Sequence, residues 1–82
     1  MSTGLFDSAI VLAGRLAEAG VQTIEVRQSG ASWQAHTTRV TDLPGLIAHA
    51  GDGAELRWLG GGARIEGGEL KQWGAPGIPP PN

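Results

Sequence analysis

The chain has 82 residues, which is enough for one domain with one hydrophobic core and too few for a large buried interior. It has no cysteine, so a disulfide scaffold, a thiolate metal site and a cysteine nucleophile are all excluded. Eight acids against six bases give a net charge of −2, which lacks the basic footprint of a direct nucleic-acid binder.

The first element is the only long one. In Leu5–Gly20 (LFDSAIVLAGRLAEAG), Leu5, Phe6, Ala9, Ile10, Leu12, Ala13, Leu16 and Ala17 fall on one wide arc at 100° per residue. Ser2 and Thr3 supply a start signal. Asp7 lies in the first turn, where the helix dipole favours a negative charge. Gly20 suits the left-handed position that closes a helix. Val11 projects on the polar side with Asp7, Arg15 and Glu18, and is either an isolated exposed valine or the centre of a contact patch.

After Gly20 the apolar period changes from 3.6 to 2. Val21–Gln28 and Ala31–Val40 read as two strands joined by a Ser29-Gly30 turn. That turn sets Val26 against Trp33 and Ile24 against Ala35 on an apolar face. Glu25 then opposes Gln34, and Thr23 opposes His36, on a wet one. Asp42 is the expected N-cap of a short second helix, with Pro44 in its first turn and Leu43, Leu46, Ile47 and Ala50 inward. Glu55–Leu59 alternates again with Leu56 and Trp58 inward. The run Gly60-Gly61-Gly62 reads as a connection to a short strand, Ala63–Glu66. Gly67-Gly68 marks another turn, before an edge strand at Glu69–Trp73.

This order predicts an α+β fold: αββαββ with one further strand, an antiparallel sheet, and both helices on one face. Residues 1–73 form the expected compact domain. The tail 74–82 (GAPGIPPPN) is too proline-rich for a helix or central strand and is expected to be extended or disordered. Ala17-Glu18-Ala19-Gly20 and Ala48-His49-Ala50-Gly51 each precede a hairpin, as if two αββ halves repeat.

No stretch carries a recognisable catalytic constellation. The triple glycine lacks the Gly-Lys-Ser/Thr ending of a phosphate loop. His36 and His49, the only imidazoles, have no neighbours at metal-ligand spacing. The serines lack a nucleophile elbow, and Glu66 and Glu69 read as solvated acids around a turn. The expectation is therefore a non-enzyme with no catalytic residue, no metal and no cofactor.

What remains is a surface. Residues 1–41 balance three acids with three arginines, whereas residues 42–82 hold five acids against three bases. Asp52, Glu55, Glu66 and Glu69 could present negative charge to a basic site. Trp33 and Trp58 fall in the inward register. Trp73, beside the proline-rich tail, either caps the core or serves as a partner anchor. The candidate contact residues are Asp52, Glu55, Glu66, Glu69, Trp73 and Val11.

No apolar run reaches membrane-spanning length, and no basic segment followed by an apolar stretch opens the chain. Five arginines against one lysine, with abundant Ala and Gly, look like the product of a GC-rich bacterial or phage genome. A bacterial cytoplasmic location is expected. In size, acidity, lack of cysteine and lack of motifs, the chain resembles the small inhibitors encoded by phages and mobile elements, including the anti-CRISPR proteins. That resemblance implies a protein partner, a CRISPR-Cas effector subunit, whose nucleic-acid recognition is blocked by a monomer or weak homo-oligomer. A net charge of −2 is weak for a DNA mimic. The competing expectation is a structural or assembly component of a phage particle or larger complex.

Overall fold

A computed structural model describes residues 4–74. The elements run α1 (Gly4–Glu18), β1 (Thr23–Gln28), β2 (Ala31–His36), α2 (Asp42–Ala50), β3 (Glu55–Trp58), β4 (Gly61–Glu66) and β5 (Glu69–Trp73). The strands form one antiparallel sheet in the order β2-β1-β3-β4-β5. The fold is α+β, as the sequence pattern predicts, with the fifth strand present. The tail 75–82 and the Ser2/Thr3 start signal lie outside the described residues.

Helix α1 ends as its sequence requires. Gly20 takes φ 87°, its N–H donates to Ala17 O at 3.1 Å, and Val21 N–H reaches back to Leu16 O at 2.9 Å. This double closure satisfies two carbonyls at the helix end and folds Val21 toward Leu16 and the core. The buried stripe of α1 is narrower than its apolar arc. Ala9, Leu12, Ala13 and Leu16 are buried, but Ile10 is 48% exposed and Ala17 is also exposed. Half of a helix lying on a sheet must face water, and Ile10 falls on the boundary.

The first hairpin has the predicted register, with Val26↔Trp33, Ile24↔Ala35, Glu25↔Gln34 and Thr23↔His36. Ser29 and Gly30, at φ 50° and 84°, form its two-residue turn. β2 stops at His36, short of the expected Val40. Thr37 is buried, and its hydroxyl donates to Val21 O. The chain then leaves the sheet through a turn in which Arg39 N–H donates to His36 O at 3.0 Å.

The cap of α2 is Thr41, and Asp42 is already helical in its acidic first turn. The expected Asp42 N-cap is thus displaced by one residue, and Thr41 makes no side-chain capping bond. Leu43, Pro44 and Ile47 are buried, while Leu46 and Ala50 are partly buried against the core. Gln28 fastens the exit of this helix, donating through Nε2 to Ala50 O and Asp52 O.

Two hairpins, β1-β2 and β3-β4, are joined where β1 pairs with β3, with Val26 opposite Leu56. Helix α1 precedes the first hairpin yet packs near β5, and α2 precedes the second yet packs on β1 and β2. Each helix therefore packs on strands that follow the other helix in the chain. Ile24, Val26, Ala35, Leu56, Trp58, Ala63 and Ile65 face the helices in a single core.

The buried Thr37 hydroxyl closes the sheet-to-helix junction. Thr37→Val keeps the shape but leaves Val21 O without that donor, and should cost about 1–3 kcal/mol. An unchanged urea midpoint would show that the bond carries no weight.

Candidate functional site: the open face of the sheet

Alternation places every second strand residue on the face away from the helices. Read across the ladders, one row on this face is Gln34, Glu25, Arg57, Gly62 and Trp73. The next is Ser32, Arg27, Glu55, Arg64 and Lys71. Glu66 opposes Glu69 beyond them. The face thus holds four acids and four bases, alternating along each strand but with Arg64 opposite Lys71 and Glu66 opposite Glu69.

The charges are mutually engaged. Arg64 Nη2 lies 2.6 Å from Glu55 Oε2, and Arg57 Nε lies 3.9 Å from Glu55 Oε1. Glu66 is 3.7 Å from Arg64 and 3.3 Å from Lys71. Ser32 Oγ donates to Glu25 at 2.8 Å. The hydrogen bond from Arg64, aided by the charges of Arg64, Arg57 and Arg27, holds the Glu55 carboxyl below its ordinary range. The same contact raises Arg64. These are solvent-exposed pairs, so their effect is on the pattern of charge more than on stability. The Glu66–Glu69 juxtaposition is unfavourable by itself, and Arg64 and Lys71 beside Glu66 offset it.

At the other end of β5 the side chain of Trp73 lies across Gly62. A Cβ on Gly62 would stand 2.4 Å from Trp73 Cζ2 and 2.9 Å from Leu56 O. Gly61 is equally tight, since its Cβ would meet Trp73 O at 2.6 Å. The expected three-glycine connection is therefore corrected. Only Gly60 lies in the turn, while Gly61 and Gly62 belong to β4 and make the floor on which β5 and its tryptophan rest. Trp73 remains 49% exposed, and Leu59, on the adjoining β3-β4 turn, is 88% exposed.

The candidate residues separate into three places. Asp52, Glu55, Glu66 and Glu69 gather toward one end of the sheet, where Asp52 Oδ1 accepts the Gly68 N–H at 3.2 Å across two turns. Arg57, Arg64 and Lys71 are interleaved with them. Trp73 shares the open face but sits at the Gly62 end. Val11 lies on the helix layer, lining a groove of about 240 Å³ with Arg15, Leu70 and Gln72, and does not join the others. A second cleft, about 260 Å³, opens beside the Ser29-Gly30 turn between Arg27 and Glu55. Trp33 is partly buried at the sheet edge, with His49 packed edge-on against it at 5.4 Å and 89°. His36 is exposed on the open face, so the two imidazoles lie on opposite sides of the sheet. Among the described residues no three His, Asp or Glu side chains converge as metal ligands. No helix among them is long and apolar enough to cross a membrane.

Comparison with protein-family models, curated protein sequences and solved structures gives no match for this chain.

Two outcomes follow from this geometry. Gly62→Ala forces its new methyl into the Trp73 ring and Leu56 O, and should cost about 1–3 kcal/mol as an overpacking change. Denaturant unfolding of Gly62→Ala alone and with Trp73→Ala measures it, and the double variant should recover only part of the loss because Leu56 O stays. The lowered Glu55 carboxyl favours the folded state above the unfolded carboxylate range, and that contribution is lost as pH falls through the folded value. The acid limb of a stability–pH curve should therefore flatten slightly in Glu55→Gln. An identical limb would contradict the assignment.

Proposed function

We propose that the chain is a small non-catalytic inhibitor of the phage or mobile-element kind. It works in the bacterial cytoplasm by laying the open face of its sheet on a protein partner. The observation that carries this reading is Trp73, half-exposed and already seated on Gly62, beside a lattice of paired charges. Tryptophan and arginine dominate binding hot spots, and a ring already held in place loses little freedom on binding. The alternating charges supply register and partner choice more than raw affinity.

Five strands spaced ~4.8 Å apart, with about five residues at ~3.3 Å each, give a platform roughly 20 Å on a side. That is small against the ~800 Å² each partner commits to a standard interface. The partner must therefore also engage the rims, Leu59 at the tryptophan end and Asp52, Glu66 and Glu69 at the acidic end. A CRISPR-Cas effector subunit with a basic, nucleic-acid-binding surface fits the acidic end. Inhibition then follows from occupying that surface, because Arg64 and Lys71 offset too much charge for the chain to imitate a nucleic-acid backbone.

A tagged chain is mixed with lysate containing a CRISPR effector, and the recovered proteins are identified by mass spectrometry. Stoichiometric recovery of effector subunits is expected. Trp73→Ala should weaken the complex at least about tenfold, in line with hot-spot truncations. Glu66→Lys with Glu69→Lys should weaken it too, and Val11→Ala should not. Circular dichroism confirms that the variants fold. Recovery of virion proteins, or of the chain alone, contradicts the inhibitor reading and favours an assembly component.

A further inference from the structure

Strand β2 forms one edge of the sheet and carries neither an acidic or lysine/arginine side chain nor a proline to protect it. Ala31–His36 contains no acid, lysine, arginine or proline, whereas the other edge, β5, carries Glu69 and Lys71. Charge and proline are the usual means of keeping an exposed strand from pairing.

The β1-β2 ladder fixes which main-chain groups of β2 are unused. Thr37 N–H donates to Gln22 O at 3.1 Å. In this register the hydrogen-bonded pairs are then Ile24/Ala35, Val26/Trp33 and Gln28/Ala31. By alternation, the N–H and C=O of Ser32, Gln34 and His36 point out from the edge. The His36 carbonyl already accepts from Arg39 N–H. Ser32 and Gln34 remain as complete open rungs.

Those rungs lie in a segment whose pattern of residue types is mirrored about Trp33. From Trp33, each side meets a polar residue and then alanine: Ala31-Ser32-Trp33-Gln34-Ala35. A two-fold contact brings residue i of one copy to residue j of the other and j to i, and this near-mirrored order makes both halves of such a contact alike. Laid antiparallel about Trp33, two copies place Ser32 opposite Gln34 and Ala31 opposite Ala35, with Trp33 opposite itself. Ser32 and Gln34 then exchange main-chain hydrogen bonds in both directions, and their side chains meet on the open face. The two Trp33 rings meet on the helix side, where each is now only partly buried and backed by His49. The small, exposed Ala31 leaves room beside them, whereas Ala35 is already packed in the core.

We propose that β2 is a self-pairing edge, to which a second copy of this chain adds in antiparallel register centred on Trp33. The contact uses the edge and, of the open face, only its marginal Ser32 and Gln34, leaving Trp73 and the acidic end free, so it stands or falls separately from the inhibitor reading. It buries little side-chain area, so the dimer is weak and concentration-dependent.

Sedimentation of the full chain from micromolar to millimolar concentration tests the dimer. A monomer–dimer equilibrium is expected, and a monomer throughout overturns the proposal. Register is read by cross-linking, since the chain has no cysteine of its own. Ser32→Cys and Gln34→Cys, both at exposed positions, are made separately and mixed under mild oxidation. The mixture should yield a disulfide-linked heterodimer. Either variant alone should cross-link poorly, because like positions stand roughly 8 Å apart, two residues along at ~3.3 Å each and one strand spacing of ~4.8 Å across, beyond the ~7 Å a disulfide spans. A dimer without that heterodimer, equal cross-linking in all samples, or capture only of a foreign strand overturns it.

Discussion

The sheet is buried on one side only, and that constraint shapes the rest of the molecule. Two helices, over opposite halves of the strand order, bury the inward residues of five strands into one core. Among the described residues no helix or strand covers the second face. Every strand must therefore alternate, and its outward positions must be satisfied by water or by one another. The rows from Glu25 to Trp73 and from Arg27 to Lys71 are the result. A charge lattice keeps most of that face wet. Trp73 is the exception, and Gly62 makes it possible by offering a surface with no side chain in the way.

The same constraint explains why the second half of the chain carries its acids without a strong negative field. Glu55 and Glu66 are shared among Arg57, Arg64 and Lys71, and the Asp52 carboxylate takes the Gly68 N–H. The face therefore presents interspersed charges of both signs with one aromatic at its end. Such a surface favours a specific docking geometry over long-range attraction. An uncharged β2 edge at one side and a charged β5 edge at the other give the two rims of the sheet different capacities for pairing.

Much of the fold was legible because its local signals agree with its packing. The Ser29-Gly30 turn fixed the register of the first hairpin, and period-2 alternation separated Ile24 and Val26 from Glu25 and Arg27. Local signals differ from the structure where long-range contact overrules local chemistry. Gly61 and Gly62 look like loop because glycine is a turn residue, yet they are strand because Trp73, eleven residues beyond Gly62, lies across them. Ile10 fits the apolar arc, but the helix covers too little sheet to bury it. Asp42 is an ordinary cap residue, but the turn closed by Arg39 brings Thr41 to that place.

The site was legible only in part. Acid positions were visible as composition, but their neutralisation was not. It depends on Arg57, Arg64 and Lys71 arriving on the same face through the β3-β4-β5 ladders. Taking Leu59-Gly60 and Gly67-Gly68 as two-residue turns would have placed Arg57, Gly62 and Trp73 in one row. The three-glycine run hid the first of those turns.

The direct test of this account is whether Trp73 rests on Gly62 in solution. Proton NMR of the full chain reads this from the Gly62 Hα resonances. A marked upfield ring-current shift is expected, with nuclear Overhauser contacts to the Trp73 indole, and the shift should be lost in Trp73→Ala. Gly62 resonances at ordinary positions, with no contact to that ring, would contradict it and leave the open face without its anchor.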